Sequence, residues 1–185
     1  MFNCHREIKV MKSQCIRKDS ITQENIASDL ANAEVAIVSG FKVSSTPGWC
    51  PTPAGFIKFN VDEAMKSDGS SGGIGGILRD LHGKKFLQFS LSIGPVSVVL
   101  AKLMVVEKGL KLFIVSHWFK KHKLIIETYG KTVVEWVHDP TKTPACFSSL
   151  ISGMVNRMFD GWLLLRHVPR SFNAEAHLLA EQGIR

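Results

Sequence analysis

Three short segments between Phe56 and Leu91 constrain the fold of this chain more than any other feature. Phe56–Asp62 alternates strictly, with Ile57, Phe59 and Val61 on one side and Lys58, Asn60 and Asp62 on the other, which is the period of a strand. A polar Gly/Ser-rich turn leads into Gly73–Asp80, and His82-Gly83 turns the chain into Lys85–Leu91. Strands joined by turns this short lie antiparallel, as a meander. The period then changes. Ser97 to about Val115 places Val99, Leu103, Val106, Leu110 and Phe113 at helical steps. A short apolar strand at Leu124–Glu127 follows, then helices near Lys131–Val137 and Phe147–Met158. A strand at Trp162–Val168 and a helix at Asn173–Gln182 complete the order. The pattern βββ-α-β-α-(α)-β-α predicts a mixed α/β sheet, antiparallel at first and extended by crossovers that cover it with helices. With 185 residues, 45% of them hydrophobic and 21% charged, the chain has enough apolar surface for one such domain with length to spare.

The spare length lies at the N-terminus. Residues 1–45 read as a helical or partly disordered segment: Ser20-Ile21-Thr22-Gln23 resembles a capping box, Ile26, Leu30, Ala33 and Ile37 follow at helical steps, and Gly40 reads as a stop. Residues 46–55, rich in Pro and Gly, read as a linker, and residues 56–185 as the sheet-bearing domain. Charge is divided unevenly across this boundary. Of 23 Lys+Arg and 16 Asp+Glu, residues 1–45 hold six and five, so the formal +7 belongs almost wholly to the C-terminal part. A basic excess of this size suits a polyanionic partner. The charged residues among the first fifteen argue against a signal peptide, and no apolar run has membrane-spanning length. The expectation is an intracellular protein, nuclear or cytoplasmic, neither secreted nor membrane-bound. Cys4, Cys15, Cys50 and Cys146 form no C-x-x-C pair and read as free thiols.

Local motifs now converge on one family. They are Trp49-x-Pro51-x-Pro53-x-Gly55-x-x-Lys58-x-Asn60-Val61-Asp62, Gly73-Ile74-Gly75-Gly76-Ile77-Leu78-Arg79-Asp80, Ile125-Ile126-Glu127-Thr128, and Val168-Pro169-Arg170-Ser171-x-Asn173-x-x-Ala176-x-x-Leu179-Ala180. From Trp49 onward, about 137 of the 185 residues, the chain resembles the plant ribonuclease H-like domains found in reverse-transcriptase-type retroelements and in stand-alone ribonuclease H-like proteins. The resemblance implies a ribonuclease H-like mixed five-stranded sheet (βββαβαβα) of type 1. It also implies hydrolysis of the RNA strand of an RNA–DNA hybrid by two divalent ions, Mg²⁺ or Mn²⁺, held by four carboxylates. Hard cations need oxygen donors, and two of them close together need negative charge to offset their repulsion.

Carried onto this sequence, the first carboxylate position is Asp62. The second falls on Lys102 in Ala101-Lys102-Leu103, the third on Tyr129 after Glu127-Thr128, and the fourth on His177 in Asn173-Ala174-Glu175-Ala176-His177. Three of the four carboxylates implied by the family are therefore replaced, and the formal charge of the quartet falls from about −4 to near zero. Asp62 alone is insufficient to hold the metal pair, so the expectation is that the ions are not bound and that an ion pair between Lys102 and Asp62 fills their place. Among neighbouring acids, Glu63 points to the opposite strand face from Asp62 and Glu175 lies about 200° around its helix from His177, which leaves Glu127 as the best substitute.

Lys108, Lys111, Lys120, Lys121 and Lys123 lie in sixteen residues without an acid, interleaved with His117, Trp118 and His122. Such a run suits phosphate contact, with Trp118 available for stacking on a base, and it equally suits a solvated helix end. Arg170 joins the expected nucleic-acid contacts through the family motif. The glycines of Gly73–Gly76 allow either the close approach of a neighbouring element or a nucleic-acid backbone. Asn173 reads as the N-cap of the last helix. His167 corresponds loosely to a histidine that assists proton transfer in related enzymes, and a structural role is the favoured reading. The leading expectation is thus a ribonuclease H-like domain of retroelement lineage that binds RNA–DNA hybrid or other nucleic acid with its catalytic carboxylates largely lost. The alternatives are an active metal-dependent hybrid endonuclease, and a protein-interaction module or non-functional remnant.

Overall fold

A computed structural model describes residues 35–36 and 50–185. Its strands are β1 (Val35–Ala36), β2 (Phe56–Met65), β3 (Gly72–Arg79), β4 (Lys85–Ser92), β5 (Lys123–Thr128) and β6 (Leu163–His167). Its α-helices are α1 (Val98–Val115), α2 (Lys131–His138), α3 (Ser148–Phe159) and α4 (Ala174–Gln182). The strands form one sheet in the order β1-β4-β3-β2-β5-β6. The meander β2–β3–β4 is antiparallel, while β5 and β6 are added in parallel after helical crossovers. The five strands legible in the sequence are therefore all present and paired as expected. The sixth, β1, pairs antiparallel with β4 at the edge. Val35–Ala36 is strand where the spacing of the N-terminal segment predicts helix, because hydrogen bonding to an open sheet edge outweighs a local helical preference. The rest of that expected helix, with Cys4 and Cys15, lies outside the described residues. Cys50 is free and exposed. Cys146 is disulfide-bonded, which corrects the reading of all four cysteines as free thiols; with no C-x-x-C pair, the sequence spacing carries no sign of it.

The sheet separates two unlike layers. On one face Ile57, Phe59 and Val61 meet α1, whose Gly109 lies directly over Val61 and Phe59, and the apolar core spreads from there to Val133 of α2 and Ile151 of α3. Ser97 starts α1 by accepting the Leu100 N–H on its hydroxyl. On the other face lies α4. A Cβ on Gly73 or Gly75 would overlap backbone atoms of Ala180 or Leu179. These glycines therefore seat a helix, and the space offered by the sequence to a nucleic-acid backbone is taken.

The α4 face is polar yet dry. Lys58, Asn60 and Asp62 are only 2%, 1% and 2% exposed, although all three are polar or charged. Their burial is compensated by a chain of partners. Lys58 Nζ lies 2.8 Å from Glu127 Oε1, and the Asn60 amide donates to Glu127 Oε2 at 3.1 Å. Arg79 donates to Asn60 Oδ1 at 3.1 Å and pairs with Glu175 of α4 at 2.8 Å, where Lys85 joins. Among the described residues no helix is long and apolar enough to cross a membrane.

Candidate functional site

Register places the site. Val61 of β2 is opposite Thr128 of β5, and Thr128 is opposite His167 of β6, so Asp62, Tyr129 and His167 emerge at the same end of three adjacent strands. Two bonds at Thr128 fix this end: the Val168 N–H donates to its carbonyl at 3.0 Å, and the Gly130 N–H donates to its Oγ1 at 3.1 Å. Lys102, in the first turns of α1, lays its aliphatic stem beside Gly130. Asn173, at the start of α4, donates from Nδ2 to the Val61 carbonyl at 2.7 Å. It sits at the helix N-cap but forms no side-chain cap, so its amide anchors α4 to β2 next to Asp62 instead of capping the helix.

The ion pairs differ from those expected. Lys102 Nζ pairs with Glu63 Oε1 at 3.0 Å, not with Asp62. The strand alternation sends Glu63 to the α1 face, where Lys102 resides, and Asp62 to the α4 face. There Asp62 Oδ2 lies 3.2 Å from His177 Nδ1. Arg170 Nη2 lies 2.8 Å from His177 Nε2, and Glu181 Oε1 is 3.3 Å from the same nitrogen. The same Arg170 nitrogen is 3.3 Å from His177 Nδ1, so the ring sits between two carboxylates and a guanidinium, with Nδ1 on the Asp62 side and Nε2 on the Glu181 side. Two of the substituted positions, Lys102 and His177, thus converge around Asp62–Glu63. Tyr129 does not join them: it is 47% exposed and its ring contacts that of His167, with centroids 5.8 Å apart. Glu127, the best substitute carboxylate by sequence, does share the α4 face but spends both oxygens on Lys58 and Asn60.

Burial governs the electrostatics. It pushes the Asp62 carboxyl up to about 6, against the Glu63 backbone and side chain and, more weakly, Arg170 and Lys102. Glu63 is pushed up to about 7 by burial and then by the neighbouring Asp62 charge, against the opposing pull of Lys102. A divalent pair finds a poor seat among these groups. Glu63 Oε2 is buried without a hydrogen-bond partner and is a donor that a cation could use, yet Lys102 holds the other oxygen and Arg170 and His177 stand over Asp62. Two carboxylates that resist ionisation, set against an ammonium and a guanidinium, sum to roughly zero charge or above. Among the described residues, no three His, Cys, Asp or Glu side chains form a group that could hold a metal ion.

The remaining expected contacts lie elsewhere. Lys123 begins β5 and Thr128 ends it, so the basic loop sits at the opposite end of the sheet, about 17 Å away at ~3.3 Å per residue. Lys120, Lys121 and Lys123 are exposed there. Lys111 pairs with Glu107, 3.1 Å away and just before the acid-free run, and Lys108 is a half-buried residue of α1. Trp118 is engaged by Phe86, His117 and His122, with centroids at 4.4, 4.1 and 5.6 Å; it holds the loop to the β3–β4 hairpin rather than offering a free platform. Sequence reasoning missed Lys84 of that hairpin, whose ammonium lies 5.8 Å from the Phe86 ring. Only its place in the hairpin turn could have suggested that it would meet the loop.

This sheet order, with a carboxylate-bearing central strand and a helix laid across glycines, defines a ribonuclease H-like domain. RNase H1 isolated from compost by a metagenomic approach superposes with a TM-score of 0.62 and 19% identity over 70% of this chain and 96% of its own. RNase H1 of Halobacterium salinarum gives 0.59 and 17% over 70% and 97%. The N-terminal RNase H domain of a Mycobacterium tuberculosis protein gives 0.60 and 16% over 70% and 99%. At these identities the likeness establishes the fold. The pattern of the reverse transcriptase-like family matches residues 60–183, and the chain belongs to that family. No curated protein matches it.

Proposed function

We propose that this chain is a ribonuclease H-like nucleic-acid-binding domain of plant retroelement lineage that engages RNA–DNA hybrid, or another duplex, without two-metal hydrolysis. The observation that carries this reading is the pairing of Lys102 with Glu63 and of His177 with Asp62, which puts the protein's own cations where the family's chemistry needs added ones. Each residue has a definable part. Asp62 orients the His177 ring, Arg170 packs its guanidinium against that ring, and Glu63 holds Lys102 against the Gly130 turn. Binding then rests on backbone charge, through Arg170 at this end and Lys84, Lys120, Lys121 and Lys123 at the other. An RNase H1 of the same fold, 18% identical, has been crystallised with an RNA/DNA hybrid, which supports hybrid as the first ligand to try. With a hybrid ligand, an intracellular setting, nucleus or cytoplasm, is the compartment this reading proposes.

Fluorescence anisotropy with a labelled hybrid tests the reading. Affinity should fall steeply with salt and be indifferent to Mg²⁺ at constant ionic strength, with no product strand formed. Mg²⁺- or Mn²⁺-dependent nicking abolished by Asp62→Asn would establish the active endonuclease instead. No binding at low salt would leave the protein-interaction module or remnant.

A further inference from the structure

We propose that Tyr129 and His167 form a stacking shelf for an unpaired nucleobase at the edge of the site. This rests on the nucleic-acid reading above and names the part of the ligand that this end of the sheet selects. Tyr129 occupies a position to which the family resemblance assigns a metal-binding aspartate, so an aromatic ring stands where a charge is expected. Tyr129 is among the exposed large hydrophobic residues, at 47% for the whole residue, and it lies outside the apolar core. Its ring partner is His167, itself exposed. The pair is held in place by backbone: register sets His167 opposite Thr128, the Val168 N–H ties β6 to the Thr128 carbonyl, and the Lys131 N–H donates to the Tyr129 carbonyl at 2.9 Å. The shelf is thus ordered without its rings being buried.

Basic residues lie close to it in the chain. Lys131 is two residues after Tyr129, its ammonium 3.6 Å from Glu135 at the surface, and the exposed Arg170 is three residues beyond His167, its guanidinium against His177. An exposed π-face with basic residues nearby in sequence matches a base joined to phosphates. Within a duplex the internal bases are stacked on both faces and a terminal base is held in its pair at the duplex end, so a ring at the edge of the site is best reached by an unpaired base that can swing out of the stack. The shelf therefore selects hybrids with a single-stranded overhang, or a junction between duplex and single strand, over blunt hybrids.

The test uses the full chain at low salt with two hybrids of equal duplex length, one blunt and one with a short overhang, and 2-aminopurine as the first unpaired base. Wild type should bind the overhang hybrid about fivefold or more tighter and quench the 2-aminopurine. Tyr129→Ala should bring the affinity ratio toward one and abolish the quench, Tyr129→Phe should retain both, and His167→Ala should weaken both. Because Tyr129 and His167 are exposed, these variants should keep the wild-type circular dichroism spectrum. Wild type binding both hybrids equally, or Tyr129→Ala keeping the ratio and the quench, would overturn the shelf while leaving nucleic-acid binding intact. Wild type binding neither hybrid would defeat both readings together.

Discussion

Asp62 and Glu63 are neighbours in sequence but belong to opposite faces of the sheet, and each has been given a cationic or proton-donating partner from a different helix. Burial still dominates, holding both carboxyls well above their ordinary values, at about 6 and about 7. The folded protein therefore binds more protons than the unfolded chain between about pH 4 and pH 7. The stabilisation from these two groups is complete below the unfolded values and is lost as pH rises through the folded ones. Urea unfolding at pH 5 and pH 8 should show this. Asp62→Asn should remove part of the decline and gain on the order of 2 kcal/mol relative to wild type at pH 8, and little at pH 5. An equal effect at both pH values would show that Asp62 is ionised throughout. The family resemblance singled out Lys102 and His177 in the sequence, because a motif fixes position, and both do stand beside Asp62–Glu63. It did not reveal which acid each would meet, because the Glu63–Lys102 pair depends on which sheet face α1 covers.

Periodicity made most elements legible: three strands of period two, then helices and strands in the order found. What periodicity could not show was the fate of the polar sides. Lys58, Asn60 and Asp62 alternate in the same way whether their side faces water or lies under a helix supplied with Glu127, Arg79 and Glu175. The β1 strand was equally hidden, since a two-residue strand has no period to read. The contact between α4 and β3 turns on glycine. Gly75→Ala would place its Cβ 2.4 Å from the Ala180 nitrogen, and the helix must lift from the sheet to accept it. The expected cost is about 3 kcal/mol or more. Gly153→Ala in α3, where the nearest atom is an Arg157 nitrogen at 3.7 Å, should instead stabilise by up to about 1 kcal/mol. Thermal melts of both variants check this, and a tolerated Gly75→Ala would mean that α4 is not seated as described.

For the whole molecule, the charge excess found in the C-terminal part resolves into two ends of one sheet: a paired, nearly neutral site and a basic loop–hairpin edge roughly a strand length away. On the proposed reading, the charges around Asp62 and Glu63 are spent on one another, as the Lys102–Glu63 and His177–Asp62 pairs suggest. The restoring change is Lys102→Glu, Tyr129→Asp and His177→Asp together, which returns carboxylates to all four family positions. Isothermal titration of Mn²⁺ into the wild-type chain and into this triple variant, each with hybrid bound, tests the account most directly. It predicts no saturable heat for wild type up to millimolar ion, and saturable binding with strand cleavage for the variant. A two-site isotherm in the wild type, lost in Asp62→Asn, would contradict it.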